Sequence, residues 1–296
     1  MRNFIIVLSL VLLGGTAAFA QNQPTLRLVT EDPGLPSDLF YGDVKVKPLR
    51  LRPGTTQPVT IHDSDFFVQQ QYLDFLNRFP DAGGFDYWNA RLNNCAADPQ
   101  CSMVEERIRV AAGFFYSNEF LLRKGYFVYR FYAASLGRRP KYAEAIPDMR
   151  LMAKTDAEEE AKRVEFINLW VQRAEFKSLY DGLSNTDFVN KLVDTAGVNL
   201  NRSQLVSDLQ SGKTRAEVVR TVIESGPVYD KYFREAFVSM QYFGFLRRDP
   251  DPTGFPYWME RLNQYPDDYR LEQHPEVIGP MVGGFIYSDE YQKVRF

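Results

Sequence analysis

From Phe67 to Asn93 the chain reads FVQQQYLDFLNRFPDAGGFDYWNARLN, and 170 residues later, from Phe237 to Asn263, it reads FVSMQYFGFLRRDPDPTGFPYWMERLN. Sixteen of the twenty-seven aligned positions are identical, with no gap. Self-similarity this dense means a fold assembled from copies of one supersecondary unit, none of which buries its apolar face alone. The likeness resumes where AAGFFYSNEF (111–120) matches VGGFIYSDEY (282–291). Two degraded copies lie between. FVYRFYAASLGRRP (127–140) and WVQRAEFKSLY (170–180) open and close one; FVNKLVDTAGVNL (188–200) and VIESGPVYDKYF (222–233) open and close the other. The sequence therefore predicts four units beginning near Phe67, Phe127, Phe188 and Phe237, with bounds near 64–125, 126–186, 187–235 and 236–296.

Each unit reads as three helices. Phe67, Val68, Tyr72, Phe75 and Leu76 share a helical face, and Arg-Xaa-Pro at 78–80 ends the element because a residue before Pro is pushed out of the helical region. Asp81 then caps a second helix, in which Phe85, Trp88 and Leu92 recur at i, i+3, i+7. A third helix starts at Ser102 with Glu105, a capping box, followed by Val104, Ile108, Ala111, Ala112 and Phe115. Thr214 and Glu217 mark the same place in the third unit. The expected fold is mainly α, a helical repeat domain of about four three-helix units over 64–296. An extended, Pro/Gly-rich lead over 21–63 precedes it, with little β structure beyond two short strand-like runs, LRLV (26–29) and VKVKPLRLR (44–52).

The order FVxxxYxxFLxR, then PDxxGFxYW, then GFxxSxEF resembles bacterial domain-of-unknown-function family 4214. The likeness runs from about Ser64 to Phe296, and PDxxG and the Trp are missing from units two and three. The resemblance implies an exported or surface protein, since that family occurs in such proteins, often as tandem copies. The family is itself similar to the helical linker domain of phycobilisomes, which implies protein binding.

The first twenty residues predict export. Arg2, the apolar run FIIVLSLVLL (4–13) and Ala18-Phe19-Ala20 form a signal peptide (1–20) with cleavage before Gln21. No other stretch is long and apolar enough to span a membrane, so the mature chain is expected to be soluble, periplasmic or extracellular. In an oxidising compartment Cys95 and Cys101, the only two cysteines, are expected to pair. So short a loop gains roughly 2 kcal/mol in the chain-entropy model. A formal net charge of -3 argues against a nucleic-acid partner.

The duplicated segment admits two chemistries. Asp249, Asp251, Thr253, Gly254, Phe255 and Glu260 follow the spacing of a calcium-binding EF-hand loop. Against that, Pro250, Pro252 and Pro256 stiffen the loop, and the first unit has Phe79 and Ala90 at the two end positions. What both copies keep is a Pro that ends one helix, an Asp (Asp81, Asp251) that caps the next, and a Gly with aromatics that pack it. The helix-capping reading is preferred, with no cofactor expected and calcium as the alternative.

QSGKT (210–214) resembles the end of a phosphate-binding loop, but Ser207 stands where that loop needs Gly, and a helix cap at Thr214 explains the same residues. His62 and His274, the only histidines, lie in no nucleophile or metal motif. DAEEEAKR (156–163) is acidic, as helix starts favour. Aromatic content is high, with 23 Phe and 17 Tyr. Trp88 and Trp258 fall on the core stripe of their helices, whereas Tyr87 and Tyr257, one position off it, are the candidate contact residues. The reading is a non-catalytic binding or scaffolding module for a protein or polysaccharide partner. The alternatives are a secreted carbohydrate-active enzyme with an unlocated acidic pair and a calcium-dependent adhesin.

Overall fold

The computed structural model describes residues 26–29, 38–41, 44–46, 55–264 and 275–295. The signal peptide, its cleavage site and His274 lie outside the described residues. In the lead, β1 (Leu26–Val29), β2 (Asp38–Tyr41) and β3 (Val44–Val46) form an antiparallel meander, with Leu26 opposite Tyr41 and Leu39 opposite Val46. Apart from these strands the chain is mainly α-helical, as the repeat pattern predicts.

The first helices of the four units are α1 (Ser64–Gln71), α4 (Gly125–Leu136), α8 (Asn185–Ala196) and α11 (Gly226–Gln241). In units one and four the helix widens into a π-turn, Tyr72–Leu76 and Tyr242–Leu246. All four stop at a left-handed residue: Asn77 (φ 50°), Gly137 (φ 70°), Gly197 (φ 60°) and Arg247 (φ 53°). A Cβ disfavours this conformation, so Gly is the relaxed choice and Arg247 the strained one. Four residues beyond each stands the residue that opens the second helix. Asp81 precedes α2 (Ala82–Ala97), Lys141 precedes α5 (Tyr142–Leu151), Asn201 precedes α9 (Arg202–Gln210), and Asp251 begins the turn into α12 (Gly254–Leu262).

The third helices are α3 (Met103–Phe115), α6 (Glu159–Trp170), α10 (Arg215–Ile223) and α13 (Pro275–Ile286). Each unit closes with a short extra segment rather than ending at three helices. These are the π-turn Glu119–Arg123, α7 (Ala174–Tyr180), the first half of α11, and α14 (Asp289–Arg295). Because α11 runs unbroken, the close of unit three and the opening of unit four share one helix, and the unit bound drawn at 235/236 falls inside it.

Buried from Gly125 through Ser135, α4 is the central helix and packs on α5, α7, α8, α10 and α11. The outer units meet each other: α3 packs on α13, and the Phe75 and Phe245 rings cross edge to face at 4.9 Å between the two π-turns. Tyr291 of the last segment donates to Asp74 of the first unit at 2.9 Å. The repeats thus form a closed bundle with one continuous apolar core, not an open array. Each fully buried Phe contributes about 2–3 kcal/mol to that core. Phe115 is central, against Phe237 at 4.4 Å and Phe120 at 5.0 Å.

Two buried cations each serve a helix end, Lys124 within the first unit and Arg130 between the second and third. Lys124 Nζ donates to Leu76 O at 2.5 Å, where the first helix stops, and lies 3.3 Å from Glu119. Burial pushes its ammonium below the usual lysine range. Arg130 lies between the Tyr126 and Tyr229 rings and donates to Ile223 O at 3.2 Å, at the carbonyl end of α10.

Candidate binding surface

The duplicated Pro-Asp-to-Trp segments place their aspartates at helix starts. Asp81 Oδ1 accepts from the Gly84 amide at 2.9 Å, and Asp251 Oδ1 from the Gly254 amide at 2.5 Å. Thr253 adds a hydroxyl bond to Asp251 Oδ1 at 2.9 Å, and Arg248 lies 3.5 Å from Asp251 Oδ2. The amide bond is the main reason the Asp251 carboxyl falls from 3.8 to about 2. Asp81 is lowered by the same cause. The Gly of PDxxG has a steric reason: a Cβ on Gly84 or Gly254 would collide with the hydroxyl of Tyr72 or Tyr242. The tryptophans are half-buried at the edge of the core. Trp88 lies over Phe114 at 5.4 Å and so close to Gly113 that a Cβ there would be 2.7 Å from the indole; Trp258 lies over Phe285 at 6.3 Å.

The other EF-hand positions have separate employments. Asp249 Oδ1 accepts from the Tyr142 amide at 2.6 Å, reaching across to the start of α5. The Phe255 ring lies under the Arg139 guanidinium at 3.8 Å, and Glu260 is exposed on α12. Among the described residues, no group of three or more His, Cys, Asp or Glu side chains is placed to hold a metal ion.

Ser102 Oγ accepts from the Glu105 amide at 3.3 Å, but the reciprocal half of the expected capping box is not formed. Glu105 pairs instead with Arg109 at 3.0 Å, one turn along the helix. At the third unit the box is complete, with Thr214 Oγ1 accepting from the Glu217 amide at 3.2 Å and Glu217 Oε2 accepting from the Thr214 amide at 2.7 Å. Cys95 and Cys101 are disulfide-bonded, with Cα atoms 5.2 Å apart, tying the end of α2 to the approach to α3.

Tyr87 and Tyr257 face solvent, 56% and 49% exposed. Each ring stands edge to face against its neighbouring tryptophan, at 4.9 Å and 73° in one copy and at 4.9 Å and 72° in the other. Arg261 Nη1 donates to the Tyr257 hydroxyl, and Arg91, one turn on from Tyr87, is held by Glu106 at 2.7 Å. An exposed ring backed by a packed indole has little rotamer freedom left to lose, which favours its use as a contact.

One recurring constellation escaped the sequence reading. Arg78 pairs with Glu119 through two bonds, Nε–Oε1 at 2.9 Å and Nη2–Oε2 at 2.8 Å. Arg138 and Glu175 do the same at 2.7 and 2.6 Å, and Arg248 and Glu290 at 2.7 and 2.9 Å. In each case Nη1 also donates to the carbonyl of the next residue, and the guanidinium lies over the Tyr six positions earlier: Tyr72, Tyr132 or Tyr242. The Arg thereby locks the turn after the first helix to the closing segment of its unit.

In the second unit this clamp borders a cleft with a volume of about 390 Å³ that also gathers Glu144 and Asp148. The carboxylates there are all engaged by arginine: Glu144 and Glu175 by Arg138, Asp148 by Arg173. Hydrogen bonds from Arg138 hold Glu144 and Glu175 below the ordinary glutamate range, opposite to the shift a general acid needs.

Residues 59–124 match the family described as Domain of unknown function (DUF4214), the family the repeat resembles. No curated protein and no solved structure matches the chain. Among the described residues no helix is long and apolar enough to cross a membrane.

Proposed function

We propose that this is an exported, non-catalytic binding or scaffolding module that meets a protein or polysaccharide partner through Tyr87 and Tyr257. The observation that carries the reading is the duplication of one exposed aromatic arrangement, Tyr edge-on to Trp at 4.9 Å, on α2 and again on α12. Two rigid, amphipathic rings supply contact area at low entropic cost. Export follows from the signal peptide expected over residues 1–20, and the disulfide is in keeping with it.

The test is retention of envelope components on immobilised protein, with the captured proteins and glycans identified and then rebound individually. A genuine ligand loses at least tenfold in affinity on combining Tyr87→Ala with Tyr257→Ala and less on either change alone. Affinity that ignores both substitutions refutes the proposal.

A further inference from the structure

The first and fourth units share sixteen residues between Phe67 and Asn93, and the fold accounts for all but three of them. The buried face of the first helix and Leu92 form core; the Arg clamps, the Pro and Asp shape the turn, the Gly lies under a tyrosine hydroxyl, and Phe85 and Trp88 pack on the core edge. The three left over are Tyr87, Arg91 and Asn93, matched by Tyr257, Arg261 and Asn263. Apart from these and the capping aspartate, exposed positions differ: Phe79 is matched by Asp249, Asp86 by Pro256 and Ala90 by Glu260. Each arginine stands four residues after its tyrosine, on the same helical face, and three residues further on comes an exposed carboxamide, Asn94 or Gln264. Asn93 lies on another face. In unit two the places of this stripe hold Pro147, Leu151 and Lys154, and in unit three Ser207, Ser211 and Thr214. The ion pair of Arg91 with Glu106 does not explain the shared arginine, since Val277 stands at that place in unit four. Arg261 is exposed and donates to the Tyr257 hydroxyl, and among the described residues no carboxylate pairs with it.

We propose that the two stripes are sites for an acidic polysaccharide: the tyrosine meets the C–H surface of a sugar ring, the arginine its carboxylate, and the carboxamide a hydroxyl. The inference rests on the reading of Tyr87 and Tyr257 as contacts and narrows their partner to one class. A guanidinium fits a carboxylate through two parallel N–H bonds, and Arg261 offers its remaining donors to solvent without a carboxylate of its own. The stripe runs along the outer side of a helix as one ring flanked by two planar polar groups, whose donors and acceptors suit hydroxyls and carboxylates better than apolar side chains. Peptide recognition draws instead on sheet edges and apolar grooves. Two like stripes on one chain also suit a ligand that repeats along its length, because engaging both multiplies the affinity of either.

The experiment is calorimetric titration of the purified protein with polygalacturonate, with dextran as the neutral glycan and poly-L-glutamate as the acidic polypeptide for comparison. Saturable binding of polygalacturonate is expected, with both comparators at least tenfold weaker. Arg261→Gln, at an exposed position, is expected to weaken it at least fivefold, and so is Tyr257→Ala. Lys191→Gln, the same loss of charge on the exposed side of α8, is expected to leave it unchanged. The proposal is overturned by no saturable binding of polygalacturonate, by poly-L-glutamate or dextran binding as tightly, or by Lys191→Gln weakening it as much as Arg261→Gln. It is overturned also by a ligand captured from the envelope that responds to the tyrosine substitutions and ignores Arg261→Gln, a result that leaves the tyrosine reading standing.

Discussion

Arg78 and Glu119, 41 residues apart, face each other across two parallel hydrogen bonds, and Lys124 lies 3.3 Å from the same carboxylate. The pairing returns as Arg138–Glu175 and Arg248–Glu290. In the third unit Val198 follows the left-handed residue where the other units have Arg, and Pro227 stands where they have Glu, so both partners are lost together. Glu119→Gln should therefore cost about 1–3 kcal/mol, because it leaves buried Lys124 without its counter-charge and Arg78 with Asp81 alone, at 3.2 Å. Replacing Arg78 and Glu119 together by Met should cost less than the sum of the single changes. Urea denaturation of the four proteins measures the coupling; strict additivity would show that the clamp is not a unit.

Gly84 and Gly254 are expected to resist even the smallest side chain. Gly84→Ala forces a methyl group onto the Tyr72 hydroxyl, and overpacking of this kind costs about 1–3 kcal/mol. The loss should shrink when Tyr72→Phe removes the hydroxyl. A thermal or urea double-mutant cycle reads the relief directly, and an equal cost in both backgrounds would refute the steric explanation.

The acid limb of the stability curve should bear the mark of Asp251. Its carboxyl falls to about 2 in the folded protein from an ordinary 3.8. A depressed folded-state value means the carboxylate stabilises the fold above about pH 4 and loses that contribution as pH falls toward 2. Asp251→Asn keeps a capping side chain that does not titrate, so its unfolding midpoint should change less between pH 5 and pH 2.5 than that of the parent. Parallel slopes would contradict the assignment.

Arg247 holds the left-handed conformation that Gly137 and Gly197 occupy without strain. Arg247→Gly should therefore stabilise by about 1 kcal/mol, whereas Gly137→Ala should destabilise by a similar amount. Chemical denaturation of the two variants checks both signs.

The helices were legible because their signals are local. A Pro ends a helix within a residue or two, Asp81 and Ser102 bond amides three residues on, and the stripes through Phe67 and Trp88 repeat with the helical period. The Arg–Glu clamps were not, since their members lie 37 to 42 residues apart and no periodicity links them. Comparison of the units held the signal: Arg-Xaa-Pro and a Glu before an aromatic occur together in units one, two and four and vanish together in unit three. Asp249 was misleading for a related reason. Its spacing to Asp251 suits an ion, while its actual partner, the Tyr142 amide, belongs to another unit brought near by the closing of the bundle. The strand β2, DLFY, has no alternation of apolar and polar residues to mark it.

The central claim is that the Pro-Asp-to-Trp segments are architecture, seating one helix on another and leaving their tyrosines to meet a partner. Calorimetric titration of calcium into the purified protein and into Asp251→Ala tests it most directly. The account predicts no saturable heat in either protein, together with a loss of about 1 kcal/mol of folding stability in Asp251→Ala from the missing cap. A saturable calcium heat in the parent that disappears in Asp251→Ala would contradict it.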